Sequence, residues 1–249
     1  MHRPKVVIQQ QASVDGRLTI APEVLLLFGD ERWPEDGPDP VGVWIRATHQ
    51  PQATLEGSGS FVLDGTEPEP LPPFEGDPTP LYDDFLPEHV IHRPDLQGWF
   101  TVVDGRGRVR WLYKEWPDPA WTGWLLLVLV GHHTPPAYLA YLRREDIPYL
   151  VAGEGDHVDL GVALGKMAAR LGVACVLSTA GGRLNGALLR AGLVDEINIT
   201  FEPLVIGGTD TPSLFDAPAL QPGEWSSRLR LIKAQAQPGG AVWLRYAVG

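Results

Sequence analysis

The chain has 249 residues, of which 44% are hydrophobic and 20% charged, a composition that excludes global disorder and allows a sizeable core. The formal net charge of −11 argues against nonspecific binding to nucleic acid or to an anionic membrane surface. Cys175 is the single cysteine, so an intrachain disulfide is excluded and a reducing, cytoplasmic setting is expected. No Cys/His cluster has the spacing of a zinc site, and no metal is expected.

In the first part of the chain, the sequence predicts short strands and a helix that are separated by turns. A strand over about residues 5–11 is followed by a turn at Asp15, and "PVGVWIRATHQ" has helical character that Pro51 interrupts. The stretch "ATLEGSGSFVLDG" predicts a strand, a glycine-rich turn and a second strand. Residues 65–95 are rich in Pro, Glu and Asp and predict a long surface excursion with little regular structure; a substrate lid is the alternative.

Strand patterns dominate the middle of the chain. "GWFTVVDGRGRVRWLY" predicts two strands joined by a hairpin turn at residues 104–107. The run "WLLLVLV" is far too short to span a bilayer and predicts a strand buried on both faces. Thr134 is the expected N-cap of the next helix, with Pro135 at its first position.

The last hundred residues alternate between helices and strands. "DHVDLGVALGKMAARLGV" predicts a helix that Gly172 stops, and "NGALLRAG" predicts a short helix after the strand "VACVLST". "EINITFEPLVIGG" predicts a strand with one buried face, and two more strands join at residues 238–240. We therefore expect a single α/β domain over residues 1–249, with a mostly parallel central sheet flanked by helices and antiparallel C-terminal strands.

Ligands of such sheets bind at the carboxyl ends of the strands, and several of these ends carry residues that could bind a ligand. After "VACVLST", the missing side chains of Gly181 and Gly182 would let backbone N–H groups approach a phosphate at the start of a helix, and Arg183 could add a charge. A tight turn without a ligand explains the two glycines equally well. "GSGS" at residues 57–60 is an incomplete dinucleotide fingerprint, and Asp15 could orient a polar substrate.

Taken together, these segments resemble a known family. "STAGGRLNGALLRAGLVDEINITFEPLVIGGTDTPSLF" resembles the C-terminal part of the riboflavin-biosynthesis pyrimidine reductase domain, in the dihydrofolate reductase-like superfamily. "ASVDGRL", "GSGSF" and "FTVVDGRGR" resemble that family's SxDGr, GxgT and vvxDxxGr motifs, in the same order along the chain.

The resemblance implies a dihydrofolate reductase-like fold, NADPH as hydride donor, a homodimer and a phosphoribosylamino-pyrimidine substrate whose sugar carbon is reduced. It assigns substrate-side roles to Ser13, Asp15 and Thr179, with Asp15 also catalytic. The positions that it assigns to the cofactor are Ser58, Gly59, Ser60, Thr134, Gly181, Gly182, Arg183 and Leu184.

Two departures from the family pattern leave other functions open. Thr179 stands where the family often has an acidic residue before its glycine turn, and Gln52-Ala53 replaces a usual Asp-Ala pair. One alternative is a dihydrofolate or pterin reductase, which would need an acidic residue facing the pteridine ring; the sequence identifies none. The other is a catalytically degenerate homodimer that binds a nucleotide without turnover.

Overall fold

The computed structural model describes residues 2–26, 29–33, 39–116 and 119–249. Its strands and helices are β1 (Lys5–Ser13), α1 (Pro40–His49), β2 (Ala53–Gly57), α2 (Glu88–Ile91), β3 (Gly98–Val103), β4 (Trp124–Val130), α3 (Pro136–Arg144), β5 (Tyr149–Val151), α4 (Leu160–Leu171), β6 (Cys175–Ser178), α5 (Gly182–Arg190), β7 (Glu196–Glu202), β8 (Leu229–Ala236) and β9 (Val242–Val248). The chain divides into two compact units. The first comprises Met1–Pro4, Gln52–Ser58 and Val62–Ala174, and the second comprises Lys5–Pro51, Gly59–Phe61 and Cys175–Gly249.

The first unit contains four parallel strands in the order β5-β4-β3-β2. β4 is buried from its second residue to its last, which confirms a strand covered on both faces. α4 carries its apolar residues on one face and ends at Gly172, whose φ of 67° is the left-handed conformation that glycine adopts without strain.

The second unit contains five strands in the order β6-β1-β7-β9-β8. β6, β1 and β7 are parallel, whereas β9 and β8 are antiparallel to their neighbours. The predicted α/β class, with a mostly parallel arrangement and antiparallel C-terminal strands, is thus confirmed. The one-sided burial predicted for β7 is wrong: six of its seven residues are buried, so side chains on both of its faces are covered.

Two predicted strands are absent from the described residues. The chain after the 3-10 turn at Ser58–Ser60 runs through turns and not through a strand. The hairpin at residues 104–107 is also wrong, since β3 pairs in parallel with β2 and β4. The buried carboxylate of Asp104 instead accepts the backbone N–H groups of Arg108 at 3.0 Å and Val109 at 2.9 Å, which holds the following residues in a loop.

The excursion at residues 65–95 is anchored just before its start and again in its second half. Before it, Asp64 accepts hydrogen bonds from Arg106 at 3.2 Å and from the buried Arg108 at 2.8 Å. In its second half, Asp84 accepts from Lys166 Nζ at 2.8 Å and from the backbone of Val151 at 2.9 Å. Its regular structure consists of a 3-10 turn at residues 79–82 and the single turn α2. The single domain and the substrate lid both stay predictions.

An ion cluster around the buried Glu196 holds the amino ends of β1 and β7 in the second unit. Glu196 accepts from Lys5 Nζ at 3.1 Å, from Arg245 Nε at 2.7 Å and from His49 Nε2 at 3.1 Å. Burial raises the pKa of Glu196, but hydrogen bonds from Arg245, Asn198 and Lys5 outweigh it and lower the pKa from 4.5 to about 2. Burial also lowers the pKa of His49, which keeps the ring neutral between Glu196 and Lys5.

We expect Glu196 to make stability pH-dependent under acidic conditions. Its pKa is lower in the folded chain, so its contribution is complete above pH 4.5 and is lost as the pH falls towards 2. Glu196→Gln should lower the free energy of unfolding at pH 7 by about 3 kcal/mol, because it removes the buried carboxylate whose pKa the folded chain lowers from 4.5 to about 2, and should flatten the acid dependence. Urea unfolding at several pH values measures both effects. The control is Glu224→Gln at an exposed position; equal behaviour of the two variants would contradict the expectation.

Candidate active site

The carboxyl ends of β1, β6 and β7 meet at one edge of the second unit, because these strands are parallel neighbours. The turn after β1 carries Asp15, the turn after β6 carries Thr179 to Gly181, and the loop after β7 carries Gly207 and Gly208. The structure therefore brings the predicted substrate-side residues and the predicted glycine turn to the same edge.

Asp15 ties the turn after β1 to the loop after β7. Its carboxylate accepts from the hydroxyl of Ser13 at 2.6 Å, and from the backbone N–H groups of Ile206 at 3.1 Å and Gly207 at 2.7 Å. Arg17 Nε lies 3.8 Å from the same carboxylate. The hydrogen bonds from Ser13 and Ile206 lower the pKa of Asp15 from 3.8 to about 2. Asp15 is therefore an ionised acceptor at neutral pH, well suited to anchor the loop and poorly suited to donate a proton.

The turn between β6 and α5 is held by side chains from β1, β6 and α5. The carbonyl oxygen of Ala180 accepts from the buried amides of Gln10, on β1, and Asn185, on α5, the latter at 2.6 Å. The hydroxyl of Ser178 donates to Asn185 Oδ1 at 2.8 Å. Because each of these polar groups is buried and satisfied, the backbone path through Ala180 is fixed.

Gly181 and Gly182, the two glycines of this turn, have different surroundings. A Cβ at Gly182 would lie 1.9 Å from the carbonyl oxygen of Ser213 and 2.8 Å from Asp216 Oδ2, so the chain at residues 213–217 rests directly on the first turn of α5. A Cβ at Gly181 would meet only Leu26, at 3.9 Å. The absence of a side chain at Gly182 thus serves packing, whereas the backbone at Gly181 is open to a ligand.

The other predicted residues of this turn lie at the start of α5. Gly181 is the N-cap and supplies no side-chain cap to the helix, so the first-turn amides suit an anion. Thr179 is half-buried directly after β6, Arg183 is exposed and Leu184 is half-buried.

Thr134, in the first unit, has a role that the sequence did not predict. The helix cap at α3 is Pro135, without a side-chain bond, so Thr134 as N-cap is wrong. Its hydroxyl accepts from Gly131 N at 3.0 Å and donates to Gly105 O at 2.8 Å, which joins the turns after β3 and β4. Its assignment to the cofactor stays a prediction.

The turn after β2 contains Ser58 and Ser60, which are buried, and Gly59, which is exposed. A Cβ built on Gly59 would meet no heavy atom within 4 Å. The backbone at Gly59 is therefore accessible, as a cofactor turn requires, and the assignment of all three residues to the cofactor stays a prediction.

Sequence reasoning missed three residues that shape the site: Gln10, Asn185 and Asp216. The signal for Gln10 was a polar residue that strand alternation places on the same face as the apolar Ile8 and Ala12. The signal for Asn185 was a residue of low helix propensity in a helix. Asp216 accepts from the backbone of Ser213 at 3.2 Å and donates its own N–H to Gly182 O at 3.0 Å. No local pattern announces this contact, because 34 positions separate the partners.

The described ranges contain no group of three or more His, Cys, Asp or Glu side chains placed to hold a metal ion. Within the same ranges, no helix is both long enough and apolar enough to cross a membrane.

Residues 101–243 match the family model of the RibD C-terminal domain. Over 236 residues the chain is 30% identical to the 2,5-diamino-6-ribosylamino-4(3H)-pyrimidinone 5′-phosphate reductase of Methanothermobacter thermautotrophicus, covering 93% of each protein. The protein of the same name from Archaeoglobus fulgidus is 28% identical over 225 residues, which cover 86% of this chain and 87% of that protein.

Solved structures show the same fold. A pyrimidine reductase-like protein from Corynebacterium diphtheriae superimposes with a TM-score of 0.64 at 17% identity, covering 99% of this chain and 92% of that one. The fold and the glycine turn at the strand edge thus define an α/β protein of the dihydrofolate reductase-like class. The chain belongs to the RibD C-terminal domain family, a family of reductases, which implies a nicotinamide cofactor.

The two glycines of the turn give a paired prediction. Gly182→Ala should destabilise the fold by about 1–3 kcal/mol, because the new methyl group overlaps backbone atoms of Ser213. Gly181→Ala should cost about 1 kcal/mol or less at an N-cap and should weaken binding of a nicotinamide nucleotide. Thermal unfolding and nucleotide titration of both variants separate packing from binding. Unchanged affinity in the folded Gly181→Ala protein would make the turn structural only.

Proposed function

We propose that this protein is an NADPH-dependent reductase that transfers hydride to a ribosylamino-pyrimidine 5′-phosphate. The observation that carries the proposal is the similarity, at 30% identity over 93% of this chain, to an archaeal reductase named for that type of substrate. The archaeal names favour the 2,5-diamino-pyrimidinone over the 5-amino-uracil substrate of related enzymes.

The residues that would hold the cofactor suit its phosphates. The backbone at Gly59 and Gly181 is unobstructed, and α5 directs its positive end to the turn at Gly181. Arg183 lies in the first turn of the same helix and is exposed, so it can add a charge-assisted hydrogen bond. The preference for NADPH over NADH rests on the family resemblance.

When bound, the cofactor would supply a hydride to the sugar carbon attached to the amine, while the bond from that carbon to the ring oxygen opens and this oxygen takes up a proton. The protein contributes to the reaction mainly by positioning this carbon and by excluding other orientations of the substrate. Asp15 contributes by fixing the loop after β7, since its carboxylate binds the N–H groups of Ile206 and Gly207. The proton that accompanies the hydride comes from another group or from water, because Asp15 stays ionised at neutral pH.

Thr179 brings a hydroxyl to the position where the family often has a carboxylate. A hydroxyl can both donate and accept a hydrogen bond but carries no charge. We therefore propose that Thr179 binds a polar group of the pyrimidine without stabilising a cation. We further propose that the enzyme is cytoplasmic and acts as a homodimer, as the resemblance implies.

The proposed activity predicts saturable NADPH binding in the micromolar to millimolar range and weaker binding of NADH. Fluorescence titration measures both. Adding 2,5-diamino-6-ribosylamino-4(3H)-pyrimidinone 5′-phosphate should then oxidise NADPH, which absorbance records, while dihydrofolate should not. Oxidation with dihydrofolate alone would favour the pterin reductase. Binding without turnover on either substrate would favour the degenerate nucleotide-binding protein.

The role of Asp15 is tested by its pH behaviour. Because its pKa is about 2, the wild-type pH–rate profile should show no step from Asp15 between about pH 5 and pH 9. Asp15→Asn should lower kcat/KM by about 100-fold, since misplacement of a loop alone has effects of this size. Ser13→Ala is the milder control, because it leaves both backbone contacts. A step near neutral pH that disappears in Asp15→Asn would identify Asp15 as a proton donor.

A further inference from the structure

Residues 79–85, which we call the strap, pack against the outer edge of β5. β5 is the first strand in the order β5-β4-β3-β2, so β4 covers only one of its edges. Phe85 pairs with Tyr149 on the other edge through two backbone hydrogen bonds of 2.9 and 2.8 Å. Asp84 accepts from the backbone N–H of Val151, farther along that edge, at 2.9 Å. The strap therefore satisfies polar groups that an open sheet edge would leave unpaired.

Side chains hold the strap at its buried residue Leu81 as well. The hydroxyl of Tyr149 donates to the carbonyl oxygen of Leu81 at 2.6 Å and accepts from Arg143 Nε at 2.8 Å. The guanidinium of Arg143 lies 5.1 Å from the ring centroid of Phe85, which adds a cation–π contact. Tyr82 is consequently held between fixed residues on both sides, and its position relative to β5 is set.

Tyr82 connects the strap to the turn after β4. Its hydroxyl donates to the carbonyl oxygen of Thr134 at 3.0 Å, and its ring stacks on that of His132 with centroids 5.6 Å apart and planes 13° from parallel. Burial raises the pKa of Tyr82 above 10.0, so the phenol stays protonated and donates at neutral pH. The turn is thereby held from outside, in addition to the bonds that the Thr134 hydroxyl makes to Gly131 and Gly105.

We propose that Tyr82 is a positioning residue for the nicotinamide cofactor: it fixes the turn at residues 131–134, and this turn contacts the bound nucleotide. The proposal rests on the proposed function for the identity of the ligand and goes beyond it by giving the excursion a role. The turn lies at the carboxyl end of β4, the edge at which ligands of parallel sheets bind. The side chain of His132 remains 37% exposed beside Tyr82, so Tyr82 orients an imidazole that a ligand can reach. A binding surface that is fixed in advance loses less conformational freedom when the ligand arrives.

The contacts of the strap favour a fixed element over a substrate lid. A lid opens to admit substrate, and opening here would break the backbone pair between Phe85 and Tyr149. It would also expose Asp84, whose side chain is 8% exposed and pairs with Lys166 Nζ at 2.8 Å. Segments that open readily have few buried contacts and few backbone hydrogen bonds. The strap has both, so we expect it to stay closed whether or not substrate is present.

The test removes the hydroxyl of Tyr82 with and without its ring. Tyr82→Phe keeps the stack on His132 but loses the bond to Thr134, so it should raise the dissociation constant of NADPH about fivefold. Tyr82→Ala loses both contacts and should raise it at least about 20-fold. The KM for the pyrimidine should not change. The control is Tyr113→Phe, at a ring that is 51% exposed, which should bind NADPH as the wild type does. Fluorescence titration measures binding, and urea unfolding confirms that each variant folds.

Hydrogen exchange tests the strap without any ligand. The backbone N–H groups of Phe85 and Tyr149 should be protected in the free protein, and substrate should not change their exchange. Fast exchange that substrate slows would identify a lid and overturn the proposal. Equal NADPH binding by the wild type and by folded Tyr82→Phe also overturns it and leaves the proposed function intact. A wild-type chain that binds no NADPH overturns both, whereas NADPH binding without turnover counts against the proposed reaction only.

Discussion

The site in the second unit depends on the hydrogen bond that the buried side chain of Gln10 donates from β1 to the carbonyl oxygen of Ala180. Asn185 donates to the same oxygen from α5, so one carbonyl joins two strands and a helix. A carbonyl has two lone pairs, and both are used here. The turn is consequently preorganised before any ligand arrives, which is the condition under which backbone amides stabilise an anion at low cost.

The glycines of the turn between β6 and α5 serve different purposes, one in packing and the other in binding. Gly182 admits the chain at Ser213 and Asp216 against the first turn of α5, and Gly186 admits Ala217 one helical turn later. Gly181 has free space in front of it. The two glycines therefore have separate roles. Gly182 allows the close packing that fixes the helix, and the backbone at Gly181 can receive a phosphate. The family resemblance identified the segment but could not separate these roles.

The sequence predicted what local periodicity controls. α4, the buried strand β4 and the C-terminal hairpin follow from apolar spacing and glycine stops. The loop at Asp104 did not, because a buried carboxylate that binds two backbone amides overrides the β propensity of the residues after it. The anchoring role of Asp15 likewise depends on Ile206 and Gly207, almost two hundred positions away. Such long-range contacts produce no periodic pattern in the sequence.

The two anchors of the excursion at residues 65–95 limit how far a change in its length can affect the rest of the fold. Arg108 holds Asp64 just before the excursion and Lys166 holds Asp84 in its second half, and each pair contains one largely buried side chain, Arg108 and Asp84. Between them, residues 72–77 are exposed and lack regular structure. Loop length adds little free-energy cost once the ends are fixed. Insertions, deletions or a proteolytic nick at residues 72–77 can therefore be absorbed without disturbing β3 or α4, so this short span can evolve in length independently of the reductase fold around it.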